Sequence, residues 1–450
     1  MSGEFKKTVS MLALLAAAGI MVGGVAPKAA RAADLGGDCC ADLEERVAEL
    51  EATSIKKGNK KVSLTITGRV NANIMAWSEN GPGASTTANS VYDHTSDVYF
   101  GNVARNDSRI ELKGEGKVNG DLTAGFYMEI RSDFSLSPNP TQIVHQEAWS
   151  PAARATYVFL SSKSLGELRL GNQDASIDDT FTKTDLAVDV VGKHSQATRA
   201  ALGFNLRDIK GKFGPSYRAI LQPIEDSKAN RFTYISPTFQ GFTFKSDVGG
   251  DDLWSTALNY KDEFQTVKLA GSVGYQEAGG VDGGSNTIVG TSPAVAVSQR
   301  IQFSKSGDGQ VDLVDNNRTE RMFAVAGSIW ELNSGLFLTG EYSRAYANTV
   351  NGGRKDVTEW FAKVGWQKNV TAIGMTAIYA SWEQQDNLFK NDTSGHILAA
   401  GINQELDEAA ANVYLHYQRA SLDTATTNAA GVVIPTQSID QVIGGMIIKF

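Results

Sequence analysis

Cysteine is almost missing from this 450-residue chain: there are two, Cys39 and Cys40, and they are adjacent. That excludes a disulfide scaffold and leaves no zinc pattern. Proline is scarce too, 10 residues against 45 glycines, and so much glycine favours turns over helices. Beyond the N-terminus no apolar run is long enough to cross a bilayer as a helix, which excludes a helical membrane protein. The five histidines, His94, His145, His194, His396 and His416, show no metal spacing. No serine, cysteine or carboxylate pair stands in a catalytic arrangement, so neither an enzyme nor a cofactor is expected. The glycine-rich stretches DVGGDD and AGGVDGGS lack the strand-to-helix context of a phosphate loop and read as mobile loop. Aromatic residues are plentiful: 19 Phe, 13 Tyr and 7 Trp exclude a fully disordered chain.

The N-terminus reads as an export signal. Lys6 and Lys7 precede an almost unbroken apolar stretch over 9–25, and Ala30-Arg31-Ala32 forms a small-residue cleavage site, giving a signal peptide over 1–32. A membrane anchor is the alternative. Asp38 directly before Cys39 spoils a lipoprotein acceptor site. The chain has 42 basic and 50 acidic side chains. Its leader holds Lys6, Lys7, Lys28 and Arg31 against Glu4, which leaves 38 and 49, a net charge near −11. An acidic exported protein is a poor candidate for nucleic-acid binding. Its compartment is the bacterial periplasm or beyond.

Residues 33–61 contain one short amphipathic helical pattern, with Leu43, Val47 and Leu50 at four- and three-residue spacing. It serves either as a solvated periplasmic spacer or as a small coiled-coil clasp between subunits, with Cys39 or Cys40 able to pair across chains. From Val62 the period changes to two. In VSLTITGRVNANIMAW, Val62, Leu64, Ile66, Val70, Ala72 and Ile74 share one face, and Arg69, Asn71 and Asn73 lie on the other. The same alternation recurs in RIELKGEGKV and in DLTAGFYMEIRSD, with Asn119-Gly120 between them as a hairpin turn.

Sixteen such segments can be drawn, from 62–77 through 98–118 to 438–450. Short connections, such as Ser164-Leu165 and Asp262-Glu263, alternate with long polar ones such as 134–152, 174–228, 278–319 and 422–437. Short turns at one end and long loops at the other predict an all-β, 16-stranded antiparallel transmembrane barrel over 62–450. Asp308, Asp312 and Asp315 in 278–319 read as a solvated acidic loop, with a calcium site as the alternative. The final QVIGGMIIKF alternates and ends on Phe450, which looks like the assembly signal read by outer-membrane assembly machinery.

Four segments carry a resemblance: TGRVNANI, SRIELKGEGKVNGDLTAGFYMEI, ARATYVFLSSKSLGELRLGNQ and NRFTYISPTFQGFTFKSDVG. With them the chain resembles the trimeric sixteen-stranded general diffusion porins of Gram-negative outer membranes. The DCCADLEERVAELEA block looks most like those of the alphaproteobacterial, rhizobial kind. The resemblance implies a homotrimer in the outer membrane, in contact with lipid and lipopolysaccharide, that passes ions and small hydrophilic solutes by passive diffusion. It also implies an in-folded constriction loop whose acids face a basic wall. The loop is 174–228, with Asp174, Asp178, Asp179, Asp185 and Asp189. The wall carries Arg69, Arg109 and Arg154 by motif, and strand parity adds Arg131 and Arg169. Asn172 stands where the family often has arginine, and the usual Pro-Glu-Phe-Gly loop tip is absent. Facing rows of both signs nearly cancel, and with the acid excess the expectation is a weak cation preference.

Overall fold

A computed structural model describes residues 61–79, 95–101, 107–132, 141–142, 151–188, 203–207, 213–217, 221, 228–250, 253–278, 302–305, 311–314, 320–346, 355–387, 392–424, 426–427, 433–434 and 436–450. The signal peptide, the 33–61 helix with its two cysteines, Asp189, and Asp308 and Asp315 lie outside these residues.

The sheet is a closed antiparallel barrel of sixteen strands. They are β1 (Ser63–Glu79), β2 in two pieces (β2a, Ser96–Gly101; β2b, Arg109–Lys117), β3 (Leu122–Ser132), β4 (Pro151–Ser162) and β5 (Gly166–Gln173). Next come β6 (Ala229–Ile235), β7 (Phe242–Gly249), β8 (Trp254–Phe264), β9 (Val267–Ala278), β10 (Glu320–Glu331) and β11 (Leu336–Tyr346). The last five are β12 (Val357–Thr371), β13 (Gly374–Asp386), β14 (Ser394–Leu406), β15 (Ala411–Leu422) and β16 (Ser438–Lys449). β1 pairs with β16 from Arg69↔Lys449 to Glu79↔Ile439, which closes the sheet into a barrel. At the seam Phe450 exchanges both backbone hydrogen bonds with Gly68, at 2.9 and 3.0 Å.

The burial pattern is that of a soluble protein turned inside out. Val70, Leu170 and Trp360 point outward and keep more than half of their surface exposed, whereas Arg231, Lys363 and Glu383 are buried. Water is inside and hydrocarbon outside, so apolar side chains gain by facing outward. β8 shows the band in one strand: Trp254, Leu258 and Phe264 all face outward, an aromatic at each end. Ten residues at 3.3 Å each, tilted by about 40°, give a height of roughly 25 Å, which matches the apolar belt of such barrels.

Glycines within the strands sit opposite aromatic rings. Gly114 opposes Phe126, Gly125 opposes Phe159, Gly365 opposes Phe337, Gly401 opposes Tyr379 and Gly445 opposes Tyr414. In each case the ring occupies the space a Cβ would need. The aromatic thus restores the packing that glycine forgoes.

Segment 98–118 does not run as one strand. β2a pairs with the upper half of β1 and β2b with the lower half. Between Asn73↔Gly101 and Arg69↔Arg109 the register shifts by four residues. Ser108 fills the gap in the ladder: its hydroxyl accepts from Asn71 N at 3.0 Å and donates to Asn71 O at 3.2 Å.

Candidate functional site: the lumen constriction

Two walls of the lumen differ in how they handle charge. On the first wall, Arg69, Arg109 and Arg131 lie directly opposite one another on β1, β2b and β3, a cross-strand row of three like charges. Such a row repels itself unless acids are interleaved. Asp107, fully buried at the lower edge of the strand break, supplies one. It lies 3.6 Å from Arg69, 3.9 Å from Arg131 and in a shorter ion pair with Arg109. Its carbonyl also accepts from Arg69 Nε at 3.1 Å. Glu129 supplies the other, 2.5 Å from Arg109 and 2.8 Å from Arg154.

Arg154 joins this group through a β-bulge. The pairing of β3 with β4 slips between Glu129↔Ala155 and Ile130↔Ala153, and Arg154 is the extra residue. Strict alternation with inward-facing Ala155 and Tyr157 would send it into the lipid. The bulge turns it into the lumen. Arg69 and Arg154 keep 20 % and 24 % of their side-chain surface exposed, so they meet the water of the pore.

Arg169 is not brought into this cluster. It pairs with Glu167 at 2.5 Å and stacks on the Tyr157 ring at 4.9 Å. Its register row runs through Phe159 and Gly125 to Glu115, six residues along β2b from Arg109, or roughly 20 Å of extended chain.

The second wall is covered by the connection between β5 and β6. Residues 174–188, with a single turn of helix (α1, Asp179–Thr182), run inside the barrel along β7 to β13. Ala175, Ile177 and Phe181 pack on Met322, Ala324 and Val357, and Ala187 and Val188 pack on Trp330, Phe337 and Tyr379. The carboxylates of the segment are taken up by wall lysines. Lys245 donates to Asp179 at 3.1 Å, and Lys363 binds Asp185 at 2.5 Å with both side chains fully buried. Ser176 N donates to Asp247, which also holds Arg231 in a fully buried ion pair at 2.7 Å. Asp174 pairs with Lys228. Burial works to raise the Asp174 carboxyl, but Lys228 and then Arg154 outweigh it and hold it below the usual carboxylate range. Asp178 is buried at the N-terminus of α1.

The later part of the same connection is anchored on the side between these walls. The short hairpin of Asn205–Arg207 and Phe213–Ser216 carries Phe204, Leu206, Tyr217 and Leu221 into an apolar cluster. Met75, Trp77, Tyr99, Ile397, Tyr414, Ile439 and Ile443 of the wall complete it. Gln142 locks it by accepting from Asn205 N at 2.9 Å and donating to Asn205 O at 2.6 Å.

Sequence reasoning picked out neither Asp107 and Glu129 as counter-ions nor Lys245 and Lys363 as loop anchors. Glu129 carried a signal, since it shares the inward face with Arg131. Among the described residues no group of three or more His, Cys, Asp or Glu is placed to hold a metal ion.

A closed barrel with an apolar exterior, a charged lumen and an in-folded loop defines an outer-membrane channel. The chain belongs to the Gram-negative porin family, whose model matches residues 13–425. Solved structures agree on the fold. An anion-selective porin from Comamonas acidovorans matches with a TM-score of 0.52 at 15% identity, over 86% of this chain and 100% of that one. A loop-deletion form of OmpT, an outer membrane protein of Vibrio cholerae, matches with a TM-score of 0.51 at 13% identity, over 87% and 100%. Among curated protein sequences, none matches this chain significantly.

Proposed function

We propose that the protein is a passive diffusion porin, open to ions and small hydrophilic solutes, that catalyses no covalent step. The observation that carries this reading is that Arg69 and Arg154 keep charged surface open to the lumen beside a loop folded into it. Single-channel conductance in a planar bilayer tests it. Discrete open steps that scale with salt concentration are expected, and a non-conducting barrel would overturn it.

The finer points are part of the same proposal. The protein is exported by cleavage after residue 32, assembles as a homotrimer and sits among lipid and lipopolysaccharide. Trimerisation draws support from an asymmetry of the outer surface. Among the described residues no charged side chain occupies an outward position of β1 to β7, whereas Glu277, Arg321, Arg344 and Arg419 do so on β9 to β15. A sector without anchors at headgroup level suits contact with protein. Phe450 acts as the assembly signal. Its deletion should lower outer-membrane yield sharply while leaving export intact, and normal insertion would remove that role.

Ion preference is weak on this reading, because opposite charges alternate along the lumen, and the acid excess of the chain favours cations. A second reading, a weak anion preference, is favoured by one observation. Asp179 and Asp185 are held by lysines while Arg69 and Arg154 meet the pore water. The sign of the reversal potential in a salt gradient decides between them.

A further inference from the structure

We infer that Asp107 is the positioning residue of the constriction: it holds the arginine row together and sets how much positive charge that row presents to permeating ions. The inference rests on the reading of the protein as an open pore.

Three observations converge on this residue. The first is register. Arg69, Arg109 and Arg131 are directly opposed on adjacent strands, where side chains are forced close and like charges repel. The second is the placement of the acid. Asp107 reaches the row because the register against β1 shifts by four residues between Gly101 and Arg109, and Ser108 is tied to Asn71. A regular strand would place residue 107 in the ladder, opposite residue 71 and one inward position beyond the arginine row. The break lets its side chain fold back under the guanidinium groups. The third is burial. Asp107 has no exposed surface, and its carboxylate faces three arginines while its carbonyl takes a fourth contact from Arg69.

A buried carboxylate of this kind does two things. It removes one unit of charge from a row of three. It also fixes where the remaining charge lies, drawing Arg109 and Arg131 to the wall, where their side chains are 9 % and 5 % exposed, and leaving Arg69 at 20 % to face the water. Glu129 differs in placement, since its ion pairs are with Arg109 and Arg154. Charge in a narrow aqueous passage with low-dielectric walls acts strongly on passing ions, so a change in this one buried side chain should reach the lumen.

The test uses full-length protein in planar bilayers, with reversal potentials measured across a KCl gradient. If the parent protein does not conduct, the pore reading fails. If it conducts, the outcomes below concern Asp107 alone. Asp107→Asn should raise the anion-to-cation permeability ratio about two- to threefold near 0.1 M salt, with the change fading toward 1 M as the Debye length falls to about 3 Å. Asp107→Glu should stay close to the parent. Arg109→Ala should move the ratio toward cations by different amounts in the parent and Asp107→Asn backgrounds, because the arginines rearrange when their anchor is lost. Equal, additive shifts would overturn the positioning role, and so would an unchanged ratio in Asp107→Asn. Should Asp107→Asn fail to insert, the double variant Asp107→Asn with Arg131→Gln should restore insertion by relieving the repulsion, and no rescue would overturn the inference.

Discussion

The two walls of this lumen use the same residue types to opposite ends. Along β7 to β13 each anchoring carboxylate meets a cation within the protein: Asp179 meets Lys245, Asp185 meets Lys363 and Asp247 meets Arg231. These pairs form a seam that holds 174–188 against the barrel. Along β1 to β4 Asp107 and Glu129 lie among Arg69, Arg109, Arg131 and Arg154, and Arg69 and Arg154 stay partly wet. Charge matched one to one fixes structure, and charge that meets water can act on ions. Buried pairs lose much of their attraction to desolvation, so the seam is sensitive chiefly to losing one partner.

That sensitivity gives the largest expected effect. Lys363→Ala removes the buried ammonium that pairs with Asp185, and should cost about 3–5 kcal/mol. The heat-modified gel shift should occur at a markedly lower temperature, and conductance should rise as the loop leaves the wall. Lys363→Met combined with Asp185→Leu should be far milder. If the single variant behaves like its parent, the seam does not hold the loop.

Smaller in effect is Gly401→Val. A Cβ there would lie 2.5 Å from the Tyr379 hydroxyl, and Tyr379 also packs against Val188 of the loop. Overpacking of this kind costs about 1–3 kcal/mol. The same gel assay should show an intermediate loss, and no loss would mean that the ring has room to move.

How much of this was legible beforehand follows from the physics of each feature. The barrel was readable because lipid on one side and water on the other impose strict alternation, and because turn lengths differ at the two ends. Arg69, Arg109 and Arg131 share a face by parity alone. Arg154 does not: only a bulge brings it inward, and no local residue choice announces that slip. The register shift between Gly101 and Arg109 was likewise hidden, because β2a and β2b each alternate normally. Lys245 and Lys363 read as ordinary inward polar residues, since their partners lie 66 and 178 positions away in the chain. The apolar cluster around Phe204 and Ile443 was hidden for the same reason, because pairing over such separations leaves no periodic trace.

Selectivity is the next test of the contrast between the walls. Arg109→Ala should move the reversal potential toward cations at low salt. Replacing Asp178 and Asp179 together by Asn should move it toward anions, but by less, since Asp179 is already drawn to Lys245 and away from the water. Both shifts should fade toward 1 M salt. A larger shift from the loop pair than from Arg109 would mean that the loop face, and not the arginine wall, governs permeation.

The smallest effect concerns pH and Asp174, a loop carboxylate within the field of Arg154. Asp174 sits at the start of the in-folded segment, bound to Lys228 and within the field of Arg154. Burial alone would raise its pKa, but the two cations outweigh it, so the folded value is lower than the unfolded one near 3.9. For a carboxylate lowered in this way, the stabilisation is in place above the unfolded value and is lost only as pH falls through the folded value. Between pH 7 and 5 Asp174 should therefore stay ionised. Asp174→Asn should produce the same small anion-ward shift of reversal potential at pH 7 and at pH 5. If the parent converges on the variant by pH 5, the carboxyl titrates well above its ordinary range near 3.9 and is raised, not lowered. Lys228 and Arg154 would then not hold it as the geometry requires, and the boundary between the two walls would lie elsewhere in the lumen.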